Sequence, residues 1–553
     1  MKVPENDPIS LATHLVSSLS QEIPTVSNFK GKWALINDKL AELKTQLADF
    51  SDCPTSVSNP LSLELLRSVS LTLHDAVSLS KKCQSPSLSE GKLRTQSDVD
   101  SVLAKLDKHV KDAEILIRSG VLQDGTVSGS SSSSKREAVR AESRNLITRL
   151  QIGSAEARNS AMDSLLGLLQ EDDKNVMIAV AQGIVPVLVR LMDSSSSPEM
   201  KEKTVAAISR VSMVDSSKHV LIAEGLLLLN HLLRVLDSGS GFAKEKACIA
   251  LQALSFSKEN ARAIGSRGGI SSLLEICNSG TPGSQASAAG VLRNLAAFSE
   301  NKENFIEENG VFVLLGLAGL GTVLAQENAI GCLCNLVCED DHLKLLVAKE
   351  GGIECLKNFW DSASSVRSLE VAVDLLRHLA SRQPIAEVLV SDGFVTRIAG
   401  VLNCGVLGVR IAAARAVYEL GFCTKTRKEM GECGCIASLI KMLDGKAVEE
   451  KESAAKALSN LMLFTGNRRI FRKDAKGILC AVQLLDPSIQ NLDKKYPVSV
   501  LASLVHSKKC RKQMVASGAC AYLQKLVEAD VEGSKKLLES LGRGKIWGVF
   551  ARP

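Results

Sequence analysis

The stretch NKENFIEENGVFVLLGLAGLGTVLAQENAIGCLCNLV, Asn301 to Val337, decides the fold. It holds three helical phrases: NKENFIEE before Gly310, VFVLLGLAG after it, and LAQENAIGCLCNLV ending at Val337. Glycine at the first junction accepts a positive φ at little cost, so the chain turns sharply from the short first helix into the second. Glycines equivalent to Gly310 recur at Gly183, Gly225, Gly269, Gly352, Gly393, Gly434, Gly477 and Gly518, with spacings of 41 to 44 residues. A period of that length carrying three helical phrases predicts a tandem array of helical repeats.

The third phrase of each unit is the most regular: VAAISRVS, IALQALS, GVLRNLA, GCLCNLV, DLLRHLA, RAVYELG, KALSNLM and VLASLV. With Asn294 as reference, Ala289, Leu292 and Leu295 fall on one face at 3.6 residues per turn, and Asn294 falls on the opposite one. One face is therefore expected to pack and the other to line a groove. A single unit cannot bury its apolar face alone, so stacked neighbours supply the core. Glu142 to Gln170 reads as a partial first unit and Lys535 to Phe550 as a divergent last one, as expected of caps.

The phrases GGISSLLEI, SAAGVLRNLA, ENAIGCLCNLV and KESAAKALSNLM resemble armadillo repeats over about residues 143–550. The resemblance implies an all-α fold, a right-handed α-solenoid of about nine to ten repeats. It also implies a non-enzymatic scaffold or adaptor that binds protein partners along its concave groove.

Residues 7–121 follow a different rule. Apolar positions recur with helical spacing at Leu11, Leu15 and Leu19; at Leu40, Leu43 and Leu47; at Leu66, Val69, Leu73 and Val77; and at Val99, Leu103, Leu106, Val110 and Ile117. Breaks at Pro24, Cys53–Pro60 and Ser85–Gly91 leave connections short enough for an up-down four-helix bundle. Residues 122–142, including DGTVSGSSSSSKRE, are expected to be a flexible Ser/Gly-rich linker. The block resembles the helical domain ahead of the armadillo array in plant U-box ubiquitin ligases. A U-box needs about 70 residues, and the linker has no room for one. That resemblance therefore implies a U-box-less component of ubiquitin signalling that delivers or sequesters substrates.

Composition bounds the remaining possibilities. A chain of 553 residues is too long for one hydrophobic core. Aromatics are only 3% of it, so Leu, Ile, Val and Ala must build the interior. The uncharged apolar stretch Gly310 to Gln326 is shorter than the roughly 20 apolar residues of a membrane span, and no transmembrane segment or secretory signal is expected. Fifteen cysteines without a disulfide-framework spacing point to reduced thiols and to the cytoplasm or nucleus.

No residue pattern carries catalysis. Cys332 and Cys334 point about 200° apart on a helix and cannot share a metal. Cys338, Cys433 and Cys435 also lack partners, and the eight histidines form no HExxH. The only glycine cluster near a phosphate-loop pattern, RGKIWG (543–548), lacks the strand and helix such loops need. No catalytic residue, cofactor, metal or small-molecule substrate is expected.

The groove is the candidate site. At the Asn294 position the successive units carry Arg210, Ala253, Asn294, Asn335, His378, Glu419, Asn460 and Ser503. One turn earlier come Ala206, Ile249, Gly290, Gly331, Asp374, Arg415, Lys456 and Ser499, and two turns earlier Lys203 and Lys246. In armadillo relatives a groove-lining Asn holds the backbone of an extended peptide. Nuclear-import adaptors pair that Asn with a Trp one turn earlier, and no Trp stands there, so basic cargo is not expected. Lys203, Arg210, Lys246, Arg415 and Lys456 make the face mildly basic and suit acidic or phosphorylated segments. The expected contact residues are therefore Lys203, Arg210, Lys246, Asn294, Asn335, His378, Arg415, Lys456 and Asn460.

Net charge is only +6, but Thr465 to Pro553 holds 17 Lys and Arg against 7 Asp and Glu. FRKDAK (471–476) and HSKKCRK (506–512) give an alternative reading, a scaffold at a membrane or on nucleic acid. Sparse aromatics argue against nucleic acid.

Overall fold

Two helices begin for the same local reason. Asp7 accepts from the backbone N–H groups of Ile9 and Ser10, and Asn59 from those of Leu61 and Ser62, while Pro8 and Pro60 occupy the first helical position, where no N–H is needed. These caps open α1 (Pro8–Glu22) and α3 (Pro60–Gln84), which form a four-helix bundle with α2 (Lys30–Asp52) and α4 (Lys92–Arg118). The structure, a computed structural model, describes residues 7–53, 55–85, 88, 91–123, 132–193 and 196–549, with only the backbone at 132–134 and 543–549. Among these residues the fold is all-α, and it is that of an α-solenoid preceded by the bundle.

The bundle core follows the expected periodicity, with two differences. Leu11 is exposed on the outer face of α1, while Trp33 and Phe50 of α2 are fully buried beside Leu40, Leu43 and Leu47. The bulk of Trp33 and Phe50 explains how so few aromatics fill the space between four long helices.

The expected linker needs correction. Residues 132–142 are the first half of α5 (Ser132–Ile152), not a flexible tether. Lys135, Arg136, Glu137, Ala138, Arg140 and Ala141 are good helix formers, and an Arg140–Glu137 pair at 3.0 Å lies along the helix. Further along α5, Ser143, Leu146, Ile147 and Leu150 are buried. Residues 124–131 of the expected linker lie outside the described residues.

Compactness divides the chain into Met1–Leu254 and Ser255–Pro553, inside the array and not between bundle and repeats. In the first unit α5 packs on α4 and on the helix Ala155–Glu171, so the bundle runs into the repeats through a helix. Ala155–Glu171 packs on Pro198–Ser212, and that on Gly241–Leu254. In the second unit the third helices Pro282–Leu295, Val323–Val337, Val366–Ala380, Leu407–Leu420, Val448–Leu461 and Lys495–Ala502 each pack along the next. Ala289, Leu292 and Leu295 are fully buried and Asn294 is only half-buried, as the periodicity requires. Ala288, Ala329, Ala372, Ala413 and Ala455 also have no exposed surface, and such small residues let neighbouring helices approach closely.

The register glycines do two different jobs. Gly434 has φ +86° and stops one helix before the next begins. Gly352 is instead the first residue of its helix, and the left-handed residue is the preceding Gly351. The same shift places the left-handed residue at Gly268 and Asn309, ahead of Gly269 and Gly310.

Candidate partner groove on the third helices

The predicted groove residues lie on the third helices as expected, but most of their polar atoms are engaged within the array. Arg210 donates from Nε to the carbonyl of Leu169 at 2.9 Å and from Nη2 to Asp173 at 2.5 Å. Asn335 donates from Nδ2 to the carbonyl of Arg293 at 2.7 Å, and Asn460 to that of Tyr418 at 2.8 Å. Asn294 donates to Ser255 Oγ at 2.8 Å. Arg210, Asn335 and Asn460 reach back 41 or 42 residues, one repeat, to the end of the preceding third helix. Unpaired carbonyls of a helix end find their donors there. At Arg210, Asn335 and Asn460 the ladder therefore serves as an inter-repeat staple, and one donor of each is already spent within the array. Asn460 is committed further, because its oxygen accepts from Arg427 Nε at 2.9 Å.

The groove cations divide in the same way. Lys203 sits between Asp163 and Glu199, each at 2.9 Å, and these two carboxylates hold its ammonium above the ordinary lysine range. Lys246 meets Glu245 at 3.1 Å and lies 5.2 Å from the centre of the Phe242 ring. Arg415 meets Glu449 at 2.6 Å, with both side chains substantially exposed, a pair that screening leaves worth at most about 1 kcal/mol. Lys456 differs. Among the described residues it has no carboxylate within ion-pair distance, and it lies 4.4 Å from the ring centre of Tyr418 and 5.9 Å from that of Tyr496. Both are within the range in which a ring quadrupole attracts a cation.

The sequence pattern missed Tyr418, Tyr496 and Arg293. The chain has only three tyrosines, and two of them flank one lysine, a scarcity signal that was available. Arg293 lies across Gly331, where a Cβ would stand 2.6 Å from Arg293 Nε.

His378 is not a free contact. Burial, and then the neighbouring Arg377 guanidinium, lower its pKa to about 4, and Arg377 Nη2 lies 2.7 Å from its Nε2, so the neutral ring accepts that bond. A histidine held neutral on folding binds fewer protons than in the unfolded chain. Its contribution is therefore complete above about pH 6.5 and is lost as pH falls toward 4. The thermal midpoint is expected to drop between pH 7 and 4.5, and to drop less in His378→Gln. Since burial also lowers His109 to about 4, the difference between variant and parent is the measured quantity.

Three of the thiols are held protonated by the same physics. Burial pushes Cys435 up to about 12 and raises Cys332 and Cys334 well above the ordinary thiol range. Among the described residues no three His, Cys, Asp or Glu side chains converge as metal ligands, and no single helix is long and apolar enough to cross a membrane.

Helices of the first unit, stacked with this period and stapled one repeat back at Arg210, carry a likeness to a known repeat. Residues 172–213 match the armadillo/beta-catenin-like repeat. Residues 10–121 match a domain described as of unknown function, DUF7032. No curated protein matches the sequence. Among solved structures, an engineered protein from a structural genomics consortium is 22% identical at a TM-score of 0.62, covering 72% of this chain and 99% of its own. A second, from work on a conserved phosphorylation switch controlling the interaction between cadherin and beta-catenin, is 17% identical at 0.60, covering 80% and 97%. These likenesses agree with the armadillo-type solenoid.

Proposed function

We propose that this protein is a non-enzymatic scaffold whose third-helix face, around Arg415, Tyr418, Lys456 and Tyr496, takes a segment of a partner protein carrying an acidic or phosphorylated side chain. Lys456 carries the reading. Of the five cations on the face, it alone keeps its ammonium donors for an incoming anion, and the two tyrosine rings hold it without neutralising it. The armadillo-type fold supports a partner that is a protein. Fifteen cysteines, all free, support a reducing compartment, cytoplasm or nucleus. The ubiquitin-signalling reading rests on the bundle standing ahead of the array, and no side-chain geometry favours it over the groove.

The test is affinity purification with quantitative mass spectrometry on wild-type protein and Lys456→Glu. The wild type is expected to retain partners that the variant loses, while circular dichroism stays unchanged and the urea midpoint falls only by the loss of the ring contacts, about 1 kcal/mol, because among the described residues Lys456 makes no ion pair. An identical set of partners at equal yield would remove the groove reading.

A further inference from the structure

The short first helices of three consecutive repeats each carry exposed cations in addition to those on the third helices. They are Thr424–Glu432, Thr465–Phe471 and Lys508–Ala516. In each, one arginine turns inward to the end of the preceding third-helix segment: Arg427 Nε to Gly421 O at 2.9 Å, Arg468 Nε to Met462 O at 2.6 Å, and Arg511 Nη1 to Val505 O at 2.6 Å. The next residue in each case, Lys428, Arg469 or Lys512, is exposed. These three stand one repeat apart, since 469 − 428 is 41 and 512 − 469 is 43.

Around them Lys425, Lys473 and Lys509 are also exposed. Among the described residues Lys428 has Glu432 at 3.7 Å, whereas Arg469 and Lys512 have no acidic partner. The fixed inward arginines set the register, so one outward cation follows each of them at the same helical position, once per unit. No aromatic side chain stands exposed among them. Among the described residues beyond 420 the large exposed apolar side chains are only Leu463 and Leu479. A row without rings offers no platform for stacking bases, and one without a broad apolar rim gives a bilayer little to bury.

Spacing narrows the occupant further. The first helices Thr424–Glu432 and Thr465–Phe471 pack on one another, and packed helices lie about 8–10 Å apart, so Lys428 and Arg469, at equivalent positions on them, recur at roughly that distance. A polyproline II segment has three residues per turn and a rise of about 3.1 Å, so every third side chain returns to one face after about 9.3 Å. We propose that this row is a second docking surface, independent of the groove, for an acidic segment of another protein in polyproline II conformation with a carboxylate or phosphate at every third residue.

The full chain is titrated against two fluorescent peptides of identical composition, one with Glu-Pro-Pro repeated four times and one with its four glutamates in a block. Phosphatidylserine vesicles and polyuridylate form the other arms. The periodic peptide is expected to bind more tightly than the block, to weaken as salt rises, and to lose about tenfold in affinity in Arg469→Glu/Lys512→Glu. Arg469→Gln/Lys512→Gln serves as a milder variant if charge reversal disturbs folding. Equal binding of the two peptides overturns the spacing. Undiminished binding by the variants overturns the site. Binding to vesicles or RNA alone, or to no probe at all, overturns the partner class.

Discussion

Gly352→Ala is expected to destabilise the second unit by about 2 to 3 kcal/mol, the range of an overpacked core position. A Cβ on Gly352 would stand 2.5 Å from Val347 Cγ1 and 2.5 Å from the Val347 carbonyl oxygen. A side chain can rotate away, but that carbonyl belongs to the preceding helix Asp341–Lys349 and cannot move without it. Gly434→Ala should cost less, about 1 to 2 kcal/mol, because nothing lies within 4 Å of its Cβ position and only its φ of +86° is disfavoured. Asparagine separates the two causes. It tolerates the left-handed region better than alanine, so Gly434→Asn should recover part of the loss, while Gly352→Asn should be worse than Gly352→Ala. Urea unfolding of the four variants reads this directly. The same order of Asn and Ala at both sites would mean that one mechanism serves both glycines.

The period, the three helices per unit and the buried face of the third helix follow from residue spacing, because a helix fixes direction through 3.6 residues per turn. The left-handed residue was misplaced at Gly269, Gly310 and Gly352, although the pairs Gly268-Gly269, Asn309-Gly310 and Gly351-Gly352 carried the clue: the first member takes the positive φ and the second starts the helix. Side-chain reach was harder to read. Asn335 lies half-buried on its third helix, and whether its amide meets a ligand or a neighbour depends on a carbonyl 42 residues earlier. That partner follows from the repeat period only once the end of the preceding third helix is known. Lys203 and Arg415 looked available for the same reason, since Asp163 and Glu449 belong to neighbouring units.

Asn467→Ala should cost about 2 to 3 kcal/mol, from two lost hydrogen bonds of a buried amide that ties two helices to its own. Asn467 is almost fully buried, and its Nδ2 donates to Leu461 O at 2.9 Å and to Arg427 O at 2.7 Å. Leu461 ends the third helix before it, and Arg427 lies on the first helix one unit back, so one amide ties both to its own helix. Asn301 makes the equivalent local bond to Leu295 O at 3.1 Å, and Asn301→Ala should lose only about 1 kcal/mol for that single bond. Asn467→Asp is the sharper variant. It keeps the shape, removes both donors and aims a carboxylate at two carbonyl oxygens, so at neutral pH it should be less stable than the alanine variant. The buried acid's pKa should rise above that of the unfolded chain, so stability should improve as pH falls and a protonated carboxyl supplies one donor. A repeat array unfolds cooperatively only while the coupling between units exceeds their individual instability. Loss of the Asn467 tie should therefore broaden the urea transition as well as lower its midpoint, whereas Asn301→Ala should mainly lower the midpoint.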